Sequence, residues 1–490
     1  MEYKRARLFL ILLAVAGAVQ IFVSYVYFSD VAFLRHFLQQ NHKTKNATDT
    51  TWENFFKQSV YNASDDLLVS HEAKNELDTM NLSRQSVYNV SDGLLVVEVF
   101  PDWTTQEPFD LRPTKRVYLY SALTAVQDTP PTGSHVRLVT FVDKLVPPLA
   151  CCMMVGDNQT VVADANVYLL HLKADPNKPR KTKQVVFFTM YQCTVPFEIS
   201  ELDKARVTLI PVLGSCPNHS RMYLPVEKPE VVPGGIALCA KMAFGHELKA
   251  NRLVEWFELQ RLMGVDKIQL FDLGNTEEVY NVTRHYQDSG FLIFLPLKLP
   301  GFPWGRTMVD NERTFGFQMG SDSVLSIMEC RLRLAGYDYI ISIDLDEVIL
   351  PVENVSLKAF VKMQFAKDER CAALQFWQKF FIEDWEPTNP QAPLHVLRYI
   401  NCTEPTTNRH KYIYKPAHVT NIRTHYVTTA PGFHVSWINA SLAFIHHYRK
   451  CPKEFKGCKD PPITEMSVTR FQETLIPRVK DVMKRTGLQP

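Results

Sequence analysis

The spacing of apolar positions changes along the chain, and each change predicts a different kind of element. Residues 8–28 form an almost unbroken apolar run in which only Gln20 and Ser24 are strongly polar. A run of that length spans a bilayer as a helix. Residues 29–95 are polar and carry little continuous apolar periodicity. Within them residues 58–69 return as residues 85–96, both copies beginning Gln-Ser-Val-Tyr-Asn. Two copies do not make a solenoid, so this region reads as a stem. Between 96 and 231, short alternating runs recur at 116–123, 135–142, 161–172, 184–192 and 206–213, separated by turns such as Pro130-Pro131-Thr132-Gly133. That pattern predicts a β-sandwich-like domain.

From residue 232 the period alternates. Strands are expected at 236–242, 267–271 and 291–295, with helices at 253–263 and 279–287 ending at Gly264 and Gly290. A third helix, capped by Ser321 or Asp322, runs to Ala335 and stops at Gly336. Strand–helix–strand alternation predicts an α/β domain with a largely parallel sheet and helices on both faces. A helix at 357–365, a strand at 372–381 and an amphipathic segment at 468–484 follow.

One stretch carries chemistry. Residues 337–351 begin as a buried-type strand and end in Asp344, Asp346 and Glu347 before Pro351. Open α/β sheets bind ligands outside the carboxyl ends of their strands, and clustered carboxylates suit a hard divalent cation. If the strand continues, its period of two puts Asp344 and Asp346 on one side and Glu347 on the other. A polar strand end leading into a turn is the rival reading.

Charge and cysteines set the compartment. The net charge is +2, which gives no footprint for nucleic acid. Lys4, Arg5 and Arg7 precede the apolar run, so the short N-terminal side is expected in the cytosol and the bulk in the lumen. A signal peptide cleaved near Ala16-Gly17-Ala18 is the rival, but the run continues past that point. Ten Asn-x-Ser/Thr sequons, from Asn46 to Asn439, stand where chance gives roughly two. The ten cysteines imply disulfides. Cys451 and Cys458 can close a local loop, adjacent Cys151 and Cys152 take different partners, and the absence of Cys-x-x-Cys argues against structural zinc.

The segment Leu253-Val254-Glu255-Trp256-Phe257-Glu258-Leu259 with Gly264-Val265, the strand ending Phe271-Asp272, the helix carrying Cys330, Ile343-Asp344-Leu345-Asp346-Glu347, Lys415-Pro416 with His425, and His447-Tyr448-Arg449 together resemble glycosyltransferase family 92. The resemblance covers roughly residues 232–460. It implies a GT-A fold, a UDP-sugar donor, Mn²⁺ and inversion at the anomeric carbon, with metazoan Golgi β-1,4-galactosyltransferases among the members. On that basis the donor is UDP-galactose and the partner a glycan acceptor on a glycoprotein or glycolipid. A metal-dependent luminal hydrolase and a non-catalytic lectin-like ectodomain remain open.

The expected layout is a cytosolic tail (1–7), a transmembrane signal anchor (8–28), a glycosylated stem (29–95), a β-rich accessory domain (96–231), a GT-A domain (232–460) and a C-terminal helical extension (461–490). That is a single-pass type II protein of the Golgi membrane, with a homodimer left open. Asp346 is expected to bind the metal, Asp344 to share the ion or reach the ribose, and Glu347 to orient its neighbours. His447 is the first choice for a further ligand, before His446 and His425. Glu383 and Asp384, ahead of Glu386, are the candidate catalytic bases. Asp272 and Asn275 are candidates for the uracil edge, and Lys241, Lys415 and Arg449 for the diphosphate.

Overall fold

The computed structural model describes residues 85–90, 93–100, 114–125, 134–142, 146–156, 159–170, 187–195, 204–244, 248–297, 318–451 and 455–489. The apolar run at 8–28 and the first copy of the duplicated segment lie outside them. Among the described residues no helix is long and apolar enough to cross a membrane.

The β-rich part has nine strands: β1 (Gln85–Val90), β2 (Gly93–Val99), β3 (Thr114–Thr124), β4 (Ser134–Val142), β5 (Leu149–Val155), β6 (Gln159–Leu170), β7 (Phe187–Val195), β8 (Arg206–Pro211) and β9 (Leu224–Glu227). They pair in the order β1-β2-β3-β4-β7-β6-β5-β8-β9, and β9 also pairs with β3. That last contact, Ala122 opposite Val226 and Leu123 opposite Glu227, closes the circuit into a barrel. The sandwich expectation is corrected here. Alternation marks the inward residues but not whether the last strand meets the first.

The second copy of the duplication is not stem. It forms the β1–β2 hairpin, and β2 joins β3 in parallel. Leu95, Val97 and Val99 are buried in the barrel core with Val117, Leu119 and Leu138. The domain boundary expected at 95 therefore moves to before β1.

The remainder contains β10 (Val232–Ala243), α1 (Ala250–Leu262), β11 (Lys267–Asp272), α2 (Glu277–Asp288), β12 (Leu292–Pro296), α3 (Gln318–Arg333), β13 (Tyr337–Ser342), β14 (Glu347–Pro351), α4 (Leu357–Phe365) and β15 (Cys371–Ile382). Then come α5 (His395–Arg398), β16 (Asn401–Cys402), β17 (Thr406–Tyr414), β18 (Val419–Ile422), β19 (Val427–Thr429), β20 (His434–Ile438), β21 (Ala443–Arg449), β22 (Ile463–Thr464) and α6 (Gln472–Arg485). The chain leaves α1 through Gly264 at φ +85°, where a Cβ would stand 2.9 Å from that of Lys358. Only glycine takes that stop without strain.

Strands β12-β11-β10-β13 are parallel neighbours in that order. The chain runs from β10 outward to β12, then crosses to the other side of β10. The topological switch point therefore lies between β10 and β13. Beyond β13 the sheet is mixed, because β17 runs antiparallel to both β13 and β15. This corrects the largely parallel expectation. An antiparallel insertion leaves no mark in a buried strand's composition.

Both faces of β10 are covered. Ile236, Leu238 and Ala240 join Leu253, Val254 and Phe257 of α1, while Ala237 and Cys239 join Leu325 and Met328 of α3. The barrel's outer face closes over α3 with Tyr118, Tyr120, Phe141, Phe188 and Met190. The β-rich part thus shares a core with the α/β part. α6 packs on α1 through Leu475, Val479 and Val482, with Arg478 Nε 2.8 Å from Glu258 Oε2, so the 461–490 segment is integral to the fold.

Disulfides join Cys151–Cys193, Cys152–Cys216, Cys239–Cys330 and Cys451–Cys458. Adjacent Cys151 and Cys152 point to opposite faces of β5 and so reach different partners, Cys193 on β7 and Cys216 in the segment after β8. Cys239–Cys330 ties β10 to α3. If the 85–99 hairpin is part of the core, Leu95→Ala will lower unfolding free energy by about 2–5 kcal/mol; a stem residue would show no change in a urea titration.

Candidate active site

The acidic stretch is not one strand. β13 ends at Ser342, the chain turns through Ile343–Asp346, and β14 starts at Glu347. Glu347 N–H donates to Asp344 O at 3.1 Å, and the Glu347 carboxylate accepts Asp344 N–H at 2.8 Å. The reciprocal pair closes the turn. The expectation that Asp344 and Asp346 share a side and Glu347 points away is corrected, since the period of two fails once the strand breaks.

Asp344 faces the switch point. Lys241 Nζ lies 2.5 Å from its Oδ1, and Lys411 Nζ bonds its Oδ2. Lys241 sits at φ +59° where β10 shifts register against β11. A non-glycine residue there is strained, and the bulge re-aims its side chain. Lys411, wholly buried on β17, also lies 2.9 Å from Glu347 Oε2. Burial opposes the charge on Asp344, yet the two ammonium groups hold its carboxyl well below the usual carboxylate range. Its contribution to stability is therefore complete above about pH 4 and is lost as pH falls towards the depressed folded value. Burial pushes Glu347 up, with Lys411 opposing.

The antiparallel register of β14 and β21 sets Glu347 opposite His447, and Tyr448 N–H donates to Asp346 O at 2.9 Å. Asp346, Glu347 and His447 then offer ligand atoms within 4.8 Å of one another. The imidazole is oriented from behind. Gln378 Nε2 donates to Asn408 O, so its Oε1, 3.0 Å from His447 Nδ1, must accept. Nδ1 carries the proton, and Nε2 faces Asp346 Oδ2 at 3.0 Å, as an N–H donor in the imidazolium or as a lone pair when a cation stands between them. Glu347 Oε1, buried and without a hydrogen bond, lies 3.3 Å from Nδ1 of the same ring. Three carboxylates against two ammonium groups also leave the cluster net negative. The residues present fit a divalent ion, with Gln378 as the outer partner that fixes the ligand tautomer.

The other candidates disperse. His446 is turned to the far face of β21, stacked between Phe381 and Phe444, and burial drives its pKa well below the ordinary value. His425 Nδ1 lies 3.1 Å from His410 O, and burial with nearby Lys411 lowers its pKa to about 4. Lys415 is corrected: it lies past the other end of β17, over the Phe365 ring and beside Tyr337 at the start of β13. Four residues along a strand is about 13 Å, and it is Lys411 that reaches the acidic turn. Arg449 ends β21 two residues past His447, with Nε donating to Lys450 O. Asp272 and Asn275 bond each other at 2.6 Å beyond β11, and Asn275 also reaches Ala243 O.

A cleft of about 350 Å³ opens beside Asp346, lined by Arg252, Glu255, Trp256 and His395 among others. Glu383 contacts two of the lining residues, with Oε1 2.7 Å from Arg252 Nη1 and 3.0 Å from His395 Nε2. Burial opposes its charge, but His395 and Arg252 hold its carboxyl below the ordinary value. Asp384 is exposed and accepts Cys451 N–H at 2.8 Å; Glu386 is exposed. Lys411, Gln378, Arg252 and His395 were not anticipated. The usable signal was polarity inside apolar runs, Gln378 in β15 and Lys411 in β17.

A model of glycosyltransferase family 92 matches residues 234–483, just over half of the chain. The chain belongs to glycosyltransferase family 92. No curated protein matches it. Among solved structures, S. aureus TarS 1–349 is similar at 11% identity over 44% of this chain, with a TM-score of 0.25. This chain spans 60% of that structure's length. The same protein in complex with UDP-GlcNAc gives 9% identity over 52% of this chain and 68% of that one, TM-score 0.25. Glucosyl-3-phosphoglycerate synthase from Mycobacterium tuberculosis with Mn²⁺ and UDP-glucose gives 11% identity, 52% and 80% coverage, and a TM-score of 0.21. At such scores these likenesses carry no argument about the site.

Two measurements check the geometry. Lys411→Met leaves Glu347 buried without its countercharge and will cost about 3–5 kcal/mol of stability at neutral pH, read by chemical denaturation. Gln378→Leu releases the His447 tautomer and will weaken Mn²⁺ binding about 10–100-fold, read from the free Mn²⁺ signal in electron paramagnetic resonance.

Proposed function

We propose that this family 92 glycosyltransferase transfers galactose from UDP-galactose, in β-1,4 linkage and with inversion, to a glycan acceptor. The observation that carries a metal-dependent donor site is the opposition of His447 Nε2 and Asp346. Asp346, Glu347 and His447 would hold Mn²⁺, which when bound supplies Lewis-acid neutralisation of the diphosphate leaving group. Lys241 and Lys411 keep Asp344 ionised beside it. With the ion the cluster becomes net positive, which suits a diphosphate. Asp272 and Asn275, at the same carboxyl edge of the sheet, are proposed to read the uracil, and Arg449 to meet the phosphates. The strand order about the switch point supports a GT-A type of site. The galactose donor and β-1,4 linkage rest on the family resemblance.

The protein is proposed to sit in the Golgi membrane with the described residues in the lumen. The disulfides fit that compartment.

A transfer assay with a panel of UDP-sugars and Mn²⁺ decides. The expected result is turnover with UDP-galactose that stops on chelation and falls about 100-fold or more in Asp346→Ala. Consumption of a glycan or phosphoester without a nucleotide sugar would favour a hydrolase. Glycan binding with no turnover on any donor would favour a lectin.

A further inference from the structure

The expected bases each have a reason not to take the proton themselves. Asp384 is committed to the Cys451 N–H and exposed to solvent. Glu383 is fixed between Arg252 and His395, which weakens it as a direct acceptor. Glu255 lines the cleft, but its Oε2 accepts the Val396 N–H at 3.4 Å, which holds the start of α5 in place. The imidazole of His395 remains. It stands on the wall of the cleft that also holds Asp346. Its Nε2 lies 3.0 Å from Glu383 Oε1. Its ring packs on Tyr399 at 4.9 Å and edge-on to Tyr448 at 5.7 Å, and Tyr448 is bonded to the Asp346 carbonyl.

We propose that His395 is the general base of the transfer, accepting the acceptor hydroxyl proton on Nδ1 while the Glu383 carboxylate, 3.0 Å from Nε2, supplies the countercharge to the imidazolium. The arrangement is a base beside a carboxylate, with Arg252 anchoring the carboxylate. The inference rests on the glycosyl-transfer reading above. In the step, the acceptor O–H bond breaks and its proton goes to Nδ1. The oxygen bonds to the anomeric carbon as the bond to the UDP oxygen breaks, and UDP leaves with that electron pair. The imidazolium is stabilised by Glu383 and returns its proton to solvent.

The groups around the ring support a neutral base. Burial lowers the pKa of His395, as do Arg252 from α1 and Arg398 from its own helix, and Glu383 opposes them. Glu255 is itself pushed up to about 7 by burial, so it is only partly ionised at neutral pH. Burial pushes the Tyr448 hydroxyl well above its ordinary value, so it adds none near neutral pH.

The test uses the full-length protein, with Mn²⁺, UDP-galactose and methyl glycosides of galactose, fucose and N-acetylglucosamine as probes. His395→Gln is expected to lower kcat about 100-fold or more, within the range for a lost general base, while the affinity for UDP with Mn²⁺, by calorimetry, stays within about twofold. The wild-type acid limb of kcat/KM is expected below the ordinary imidazole value of about 6.5 and absent in His395→Gln. His395→Gly should regain activity with added imidazole. Retention of more than about a tenth of wild-type kcat in His395→Gln, or loss of UDP binding together with activity, would overturn the proposal. So would a larger loss in Glu383→Gln than in His395→Gln, which would make Glu383 the base. Failure of the wild-type protein to bind UDP with Mn²⁺ would instead sink the donor reading, and the calorimetry shows that separately.

Discussion

An imidazole set between two carboxylates needs positive charge, from its own proton or from a bound cation, and the end of the α/β sheet that carries the acidic turn holds one there. Gln378 on β15, fixed by the Asn408 carbonyl of β17, dictates which nitrogen of His447 bears the proton. The β14–β21 register then places Glu347 opposite His447, and the backbone of Tyr448 pins Asp346. A slip of one residue in any of these strands would turn the ligands to the other face. A proton on the ring or a bound cation meets that need, and the packing of several strands fixes the place where either sits.

The rest of the molecule can be understood as support for that point. Lys241 and Lys411 converge on Asp344 from the two strands flanking β13, and Lys241 does so from a left-handed backbone conformation at a bulge. Such strain persists only where surrounding structure over-determines it. Here β10 is covered on one face by α1 and on the other by α3, to which Cys239–Cys330 bonds it. The barrel closes over α3 in turn, so the β-rich half of the chain bears on the strand that carries Lys241. Tyr120 Oη extends the same bracing by donating to the Pro296 carbonyl at the end of β12.

Much of this was legible from the residues, and the misses share a cause. Helices and parallel strands from 232 onward show in the apolar period because local pattern determines them. The Asp346 and His447 pairing was within reach because carboxylate and imidazole together suit a divalent ion and both lie in segments that carry the family resemblance. Partners across strands were not. Lys411 was passed over for Lys415, four residues along, because direction and register of β17 are set by tertiary pairing. Glu347 was assigned to the wrong side because the strand breaks at the very residues whose period was being counted. The hairpin at 85–99 was hidden by its resemblance to a polar duplicated segment, although Leu95, Val97 and Val99 alternate as a strand does. Barrel closure between β3 and β9 depends on contacts a hundred residues apart and has no local signature.

Crystals grown with UDP and Mn²⁺, with data collected at the manganese absorption edge, test the central claim most directly. A single anomalous peak between the carboxylates of Asp346 and Glu347 and Nε2 of His447, with Nδ1 still on Gln378, is the predicted result. A peak elsewhere in the cleft, or none while UDP is bound, would contradict it.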